Sequence, residues 1–370
     1  MKIALLSFHN AANYGAALQA YALQHALEQM GHDCEYINYL NDERRNHYSL
    51  SYLFWDAVKK RNFSAAAKFL VGAPFLIARK MKFNKFYRSY LHVTKWVYRN
   101  SEEAAKLNPF YDRFIVGSDQ VWNPDNNGDD SAFLLDFVKD DKKKISYSSS
   151  FGIARIDEEH RGIYKDNLNK FKSLAVRESI GREIIKELTG RDAKVVLDPV
   201  MLLSKEQWLS LVPRERKIRK YIFSYTNRDS QITDFFKTGF RLEGMKHYVL
   251  SRYTKPRDFM SRSVSVKYWM SPLEFISVIA NAELVVTASF HCLAMSIVLN
   301  RPFVAILTGD KGKDERPLNI LRALNLESRV LTPTMTTTDI QKPIDWEEVN
   351  ELIKDLKESS IDYLIKAIED

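Results

Sequence analysis

Short apolar runs alternate with helix-length amphipathic stretches along most of the chain. Residues 3–7 form the first run, a polar loop from His9 to Gly15 follows, and a helical pattern over 16–30 is stopped by Gly31. Residues 34–39 read as the second strand. The alternation breaks at about 46–100 and then resumes. Strands are expected at 113–116, 144–148, 173–176 and 194–197, with helices at 157–171 and 179–188. A second alternating set begins at 220–225 and continues at 247–250 and 264–266. Ser271, Pro272 and Glu274 make a helix start, a capping box with proline at its first position. Residues 283–306 then read as strand, helix and strand, and 344–370 as a terminal amphipathic helix or helix pair.

Repeated strand–helix–strand units predict parallel sheets. The expected fold class is therefore α/β, with two Rossmann-like doubly wound domains facing a central cleft. Residues 1–212 form the first domain, with a helical insert at about 46–100. Residues 213–345 form the second, and 346–370 a C-terminal helical segment. Open parallel sheets bind ligands beyond the carboxyl ends of their strands. Asn13, Asp119, Ser149, Arg177 and Asp198 all fall at such ends. His291 falls in the first turn of the helix in 283–306, where free N–H groups favour anions and an imidazole can carry a proton near neutral pH. Arg177, His291 and Arg316 can converge on the cleft, and an arginine fork matches carboxylate or phosphate oxygens. The residues 308–316 read as a charged, glycine-containing loop. A histidine or aspartate at these positions can equally serve as a cap or as packing.

Composition narrows the chemistry. The 370 residues are 45% hydrophobic and 28% charged, ordinary for a soluble globular chain of two domains. Two cysteines far apart, Cys34 and Cys292, make neither a disulfide framework nor a metal-ligand cluster and suit a reducing compartment. The first loop lacks Gly-x-Gly-x-x-Gly, so no dinucleotide is expected. Cys292 adjoins His291, but helical neighbours diverge by about 100° and form no nucleophile–base pair. No run approaches the roughly 20 apolar residues of a membrane span. The net charge of +8 is local: 52–99 holds eleven basic residues and one acid, Asp56, and the remainder sums to −2. Basic residues mixed with large rings suit an anionic membrane surface or single-stranded nucleic acid, and equally a packed subdomain with solvated lysines.

Several stretches together resemble the polysaccharide pyruvyl transferase family. They are 13–23 (Asn-Tyr-Gly-Ala-Ala-Leu-Gln-Ala-Tyr-Ala-Leu), Val116 to Asn123, Tyr147 to Gly152, Val176-Arg177-Glu178, Leu197-Asp198-Pro199 and Thr287 to His291. The resemblance spans about 1–325 apart from the basic insert. It implies a fold similar to two-domain glycosyltransferases. It also implies transfer of a pyruvyl group from phosphoenolpyruvate to a sugar hydroxyl pair, giving a ketal and phosphate. Phosphoenolpyruvate is then a donor substrate, and no cofactor or metal is implied. His291 matches the family histidine and is the candidate acid. Arg177 matches the arginine that helps hold the donor, and Asp119 is the candidate for orienting or deprotonating the acceptor. Family members can carry arginine two positions before the histidine; here that position is Ser289, so Arg316 or Lys313 would supply the missing clamp.

The site expected is thus His291 and Asp119 for catalysis, with Asn13, Tyr14, Gly15, Ser149, Arg177, Ser289, Lys313 and Arg316 on substrate. The expected partners are phosphoenolpyruvate, a sugar or lipid-linked oligosaccharide and an anionic membrane surface. The location expected is cytoplasmic, peripheral to the inner face of the membrane. A nucleotide-sugar glycosyltransferase and a non-catalytic glycan-binding protein of the same fold remain alternatives.

Overall fold

The computed structural model describes residues 1–41, 55, 58–60, 63–127, 130–212, 220–226, 229–241, 243–251 and 264–369. Two wholly parallel sheets organise them. The first holds β1 (Lys2–Leu6), β2 (Asp33–Tyr36), β3 (Arg113–Asp119), β4 (Lys144–Ser149), β5 (Ala175–Val176) and β6 (Lys194–Val195), in the order β2-β1-β3-β4-β5-β6. The second holds β7 (Tyr221–Tyr225), β8 (Lys246–Leu250), β9 (Val264–Lys267), β10 (Leu284–Thr287) and β11 (Phe303–Ala305), in the order β11-β10-β7-β8-β9. Strand order reverses beside β1 and β3 in one sheet and beside β7 and β10 in the other. Crevices open at such reversals, beyond the carboxyl ends of the strands.

Local chemistry sets the helix starts at these crevices. The Asn13 side chain accepts from the N–H groups of Gly15 and Ala16 and so begins the Tyr14–Gln29 helix directly after the β1 loop. Ser271 and Glu274 cap the Pro272–Asn281 helix reciprocally. The expected loop at 308–316 is shorter than its charge suggests. Asp310 accepts from Gly312 and Lys313 N–H and starts a helix, Lys311–Ala323, so Lys313 and Arg316 are helical. The buried Asp314 carboxylate accepts from Thr308 and Gly309 and ties the remaining turn down.

One hydrophobic core runs through both domains. It joins Leu18 and Leu23 of the first to Phe275, Ile276 and Leu293 of the second by way of Val200, Leu202 and Trp208 in the connecting segment. The terminal helix is single, Trp346–Glu369, and returns to the first domain. Tyr363 donates to the Ser146 carbonyl at 2.8 Å, Leu197 N–H to Ser360 at 3.0 Å, and Arg113 to the Ile368 carbonyl at 2.9 Å. Of the expected insert, 46–54, 56–57 and 61–62 lie outside the described residues. The rest is dominated by one 28-residue helix, Phe63–Tyr90. Arg79 belongs to the basic patch by sequence, yet it is buried, 4.9 Å over the Tyr14 ring, and donates to the Ala12 carbonyl. Among the described residues no helix is long and apolar enough to cross a membrane.

A buried histidine makes the second domain acid-sensitive. His247 of β8 faces the Ser224 hydroxyl of β7 at 2.8 Å, and burial pushes its pKa down to about 4. The unfolded chain takes up this proton first, near the ordinary histidine value, so stability is lost as pH falls from about 6.5 towards 4. We expect His247 to account for about 2 kcal/mol of lost stability by pH 5. Urea unfolding of the parent and His247→Gln at pH 7.5 and pH 5 measures this. Equal acid losses in both proteins would remove His247 as the cause.

Candidate active site

The carboxyl ends of β3, β4 and β5 bring strained backbone and buried charge together. Asp119 ends β3 with φ at +86°, and Ser148 near the end of β4 has φ at +55°. Non-glycine residues adopt this region at a cost and persist there when the surroundings dictate it, most often at functional sites. The Asp119 carboxylate accepts from Gln120 N–H at 2.9 Å. Gln120 lies over Gly152, where a Cβ would stand 2.1 Å from the end of its amide group.

Arg177, just past β5, is buried at the centre. Its Nη1 donates to Asp198 Oδ2 at 2.8 Å, with the Ser118 hydroxyl and His291 Nε2 each at 3.5 Å. Its Nε is 3.7 Å from Glu178, and its guanidinium lies 4.6 Å over the Phe290 ring. Burial opposes the Arg177 charge, but Asp198, then Glu178 and Asp119, more than reverse that and raise its pKa. Asp198 Oδ2 also accepts from the Ser118 hydroxyl at 2.7 Å and stands 3.4 Å from His291 Nε2. Burial alone would raise the Asp198 carboxyl; His291 and Arg177 hold it well below the usual carboxylate range.

Arg316 reaches the same place from the second domain. With its oxygen turned towards the guanidinium, the Gln120 amide accepts from Arg316 at 3.2 and 2.9 Å. Enclosure of the guanidinium, then repulsion from Arg177, pull Arg316 down to about 10. Nε and Nη2 of Arg177 and Nε of Arg316 are buried and find no hydrogen-bond partner among the described residues. Unfilled donors on two neighbouring cations leave a demand that a multivalent anion can meet.

His291 is the contribution of the β10–β11 crossover. Ser289 is the N-cap of the Phe290–Val298 helix and makes no side-chain cap bond, so His291 sits in the first turn. Its ring rests on Gly15, where a Cβ would stand 2.1 Å from Nδ1. Glycine at 15 is therefore a condition for the histidine to enter. Cys292 beside it is fully buried, and burial pushes its thiol up to about 12, which leaves no thiolate at neutral pH.

His291, Asp119, Arg177, Arg316 and Gly15 are thus brought together, with Asn13 and Ser289 at the two helix starts beside them. Three expected residues have their side chains engaged elsewhere. Tyr14 donates to the Met270 carbonyl at 2.9 Å and stacks on Phe275, joining the domains. Ser149 is buried in the sheet and donates to the Val116 carbonyl at 3.2 Å. Lys313 pairs with Asp310 at 3.1 Å on the exposed helix face. The sequence placed Asp198 at a strand end but not as the partner of both Arg177 and His291. Ser118, Gln120 and Glu178 were also missed, although Glu178 directly follows Arg177 and Ser118 directly precedes Asp119.

Solved structures share this glycosyltransferase-B-like arrangement. UDP-GlcNAc 2-epimerase from Neisseria meningitidis, solved with UDP-GlcNAc bound, is 10% identical with a TM-score of 0.56, covering 99% of this chain and 100% of that one. UDP-N-acetylglucosamine 2-epimerase from Rickettsia bellii is 8% identical with a TM-score of 0.52, covering 99% and 98%. Such identities show the fold alone. No curated protein matches the sequence. A family model described as polysaccharide pyruvyl transferase matches residues 13–310, a span that includes Gly15, Asp119, Arg177, Asp198 and His291. The chain belongs to the polysaccharide pyruvyl transferase family, and is by that membership a transferase.

Proposed function

We propose that the chain moves a pyruvyl group from phosphoenolpyruvate to a hydroxyl pair on a sugar of a polysaccharide or lipid-linked glycan precursor. The product is a cyclic pyruvate ketal, and phosphate is released. The observation that carries this reading is the pair Arg177 and Arg316, with unfilled donors, beside the His291–Asp198 pair. Phosphoenolpyruvate carries two anionic groups, a carboxylate and a phosphate, for two guanidinium forks.

The reaction needs a proton on the donor's methylene carbon. Protonation makes a methyl group and leaves positive charge on the adjacent carbon, which the first sugar hydroxyl attacks. The second hydroxyl then replaces phosphate at that carbon. Two hydroxyl protons are given up; one balances the methyl group and the other leaves with phosphate. His291, whose Nε2 stands 3.4 Å from the Asp198 carboxylate, is the acid. Asp119 takes or orients an acceptor hydroxyl proton at the strained end of β3. Arg316 stands in for the clamp that Ser289 cannot provide, and both arginines steady the charge on the departing phosphate.

We expect His291→Asn to fold as the parent does and to lose ~10²–10⁴-fold in turnover. Phosphate release with an oligosaccharide acceptor and the unfolding midpoint together read this. Near-parental turnover in the folded variant would remove the acid role.

Arg316→Gln should raise the KM for phosphoenolpyruvate by roughly 10- to 100-fold, the worth of one charge-assisted hydrogen bond. Mass spectrometry of the acceptor then gives the pyruvyl mass gain. Unchanged donor KM would detach Arg316 from the donor, and turnover of a sugar nucleotide in place of phosphoenolpyruvate would return the glycosyltransferase reading.

A further inference from the structure

The Phe63–Tyr90 helix carries two faces with opposite tasks. Its inner face braces the β1 loop: Arg79 donates to the Ala12 carbonyl, the Tyr87 hydroxyl to the Ala11 carbonyl, and Phe83 and Phe86 are buried in the core. Lys82 at its edge pairs with Glu274 of the second domain at 2.7 Å. Its outer face exposes Ile77 (50%) and Met81 (66%), one turn apart, and Lys80, Lys85 and Arg88 stand exposed around them. The sequence holds no acidic residue between Asp56 and Glu102.

We propose that this outer face docks the enzyme on an anionic lipid bilayer, with Ile77 and Met81 entering the headgroup–acyl boundary and Lys80, Lys85 and Arg88 on lipid phosphates. The inference rests on the reading above in one respect, that the acceptor is lipid-linked. Aliphatic side chains exposed on one helix face and ringed by cations suit this mode of binding. The side chains at the centre of the face also argue against other occupants. Single-stranded nucleic acid is held by ring stacking, and Ile77 and Met81 offer no ring. A second copy meeting this face about a two-fold axis would set Lys80, Lys85 and Arg88 against their own kind. Docking here leaves one helix thickness, about 10 Å, between the lipid and the loop that leads into Gly15 under His291. A sugar on a lipid carrier can then reach the cleft while its tail stays in the bilayer.

The test uses the whole chain without donor or acceptor. Co-sedimentation with phosphatidylcholine vesicles is compared with vesicles that also contain phosphatidylglycerol. Three cations at the surface give an expected preference of roughly 100-fold for the mixed vesicles. Added salt should weaken it. The triple variant Lys80→Gln, Lys85→Gln, Arg88→Gln should lose the preference, and its activity on a short soluble oligosaccharide should be unchanged. In Met81→Trp, the added fluorescence should shift to the blue on mixed vesicles only. Equal binding to both vesicles, binding to neither, or full binding by the triple variant would overturn the proposal. So would tighter binding to a single-stranded oligonucleotide than to vesicles, or a dimer that the triple variant loses. If the parent fails to pyruvylate any soluble acceptor, the donor reading fails and the vesicle result stands on its own.

Discussion

The Asp198 carboxylate is the point on which the rest of the structure depends. One of its oxygens, Oδ2, takes the Ser118 hydroxyl, the Arg177 guanidinium and the edge of the His291 ring. Three of these four residues come from the first domain and His291 from the second. Burying the Arg177 and Asp198 charges costs several kcal/mol per ion, and their pairing offsets that only while the geometry holds. The crossover that carries His291 is therefore bound into the electrostatics of the other domain, as well as into the shared apolar core.

That dependence explains which parts of the site could be read from the chain. Alternating apolar runs placed the strands, and strand ends placed Asp119, Arg177 and Asp198 on a common rim. His291 was legible because a short buried strand, a polar turn and a helix stopped before Pro302 surround it. The role of Asp198 was not, because it arises from residues of β3, of the β5 end and of the second domain meeting at the end of β6, which no local pattern encodes. Arg316 looked like a loop cation because Gly309, Gly312 and Pro317 mask a helix that Asp310 and Asp314 begin. Tyr14 looked like a ligand contact because of its loop, and its hydroxyl instead reaches 256 residues along the chain to Met270.

The insert shows the same limit in its charges. Counted along the sequence, Arg79, Lys80 and Lys82 are equivalent. In three dimensions Arg79 lies on an aromatic ring, Lys82 joins the helix to the second domain, and Lys80 faces outward. Helical geometry separates them, since neighbours along a helix point in different directions. A net charge therefore overstated the free cations of this segment: Arg79 and Lys82 are engaged within the fold, while Lys80, Lys85 and Arg88 stand exposed on the outer face.

The glycines at the cleft carry a consequence for how this sequence can diverge. Gly15 meets the His291 ring, Gly152 meets Gln120, and Gly312 of the second domain meets the Ile153 backbone, where a Cβ would stand 2.7 Å from Cα. Two of these three contacts join opposite domains through a position that has no side chain. A substitution at one of them has no room to be absorbed locally, so any lineage that changes it must also reshape the facing residue or hold the two halves further apart. A side chain at Gly15 or Gly312 would therefore require a matching change on the far side of the domain boundary.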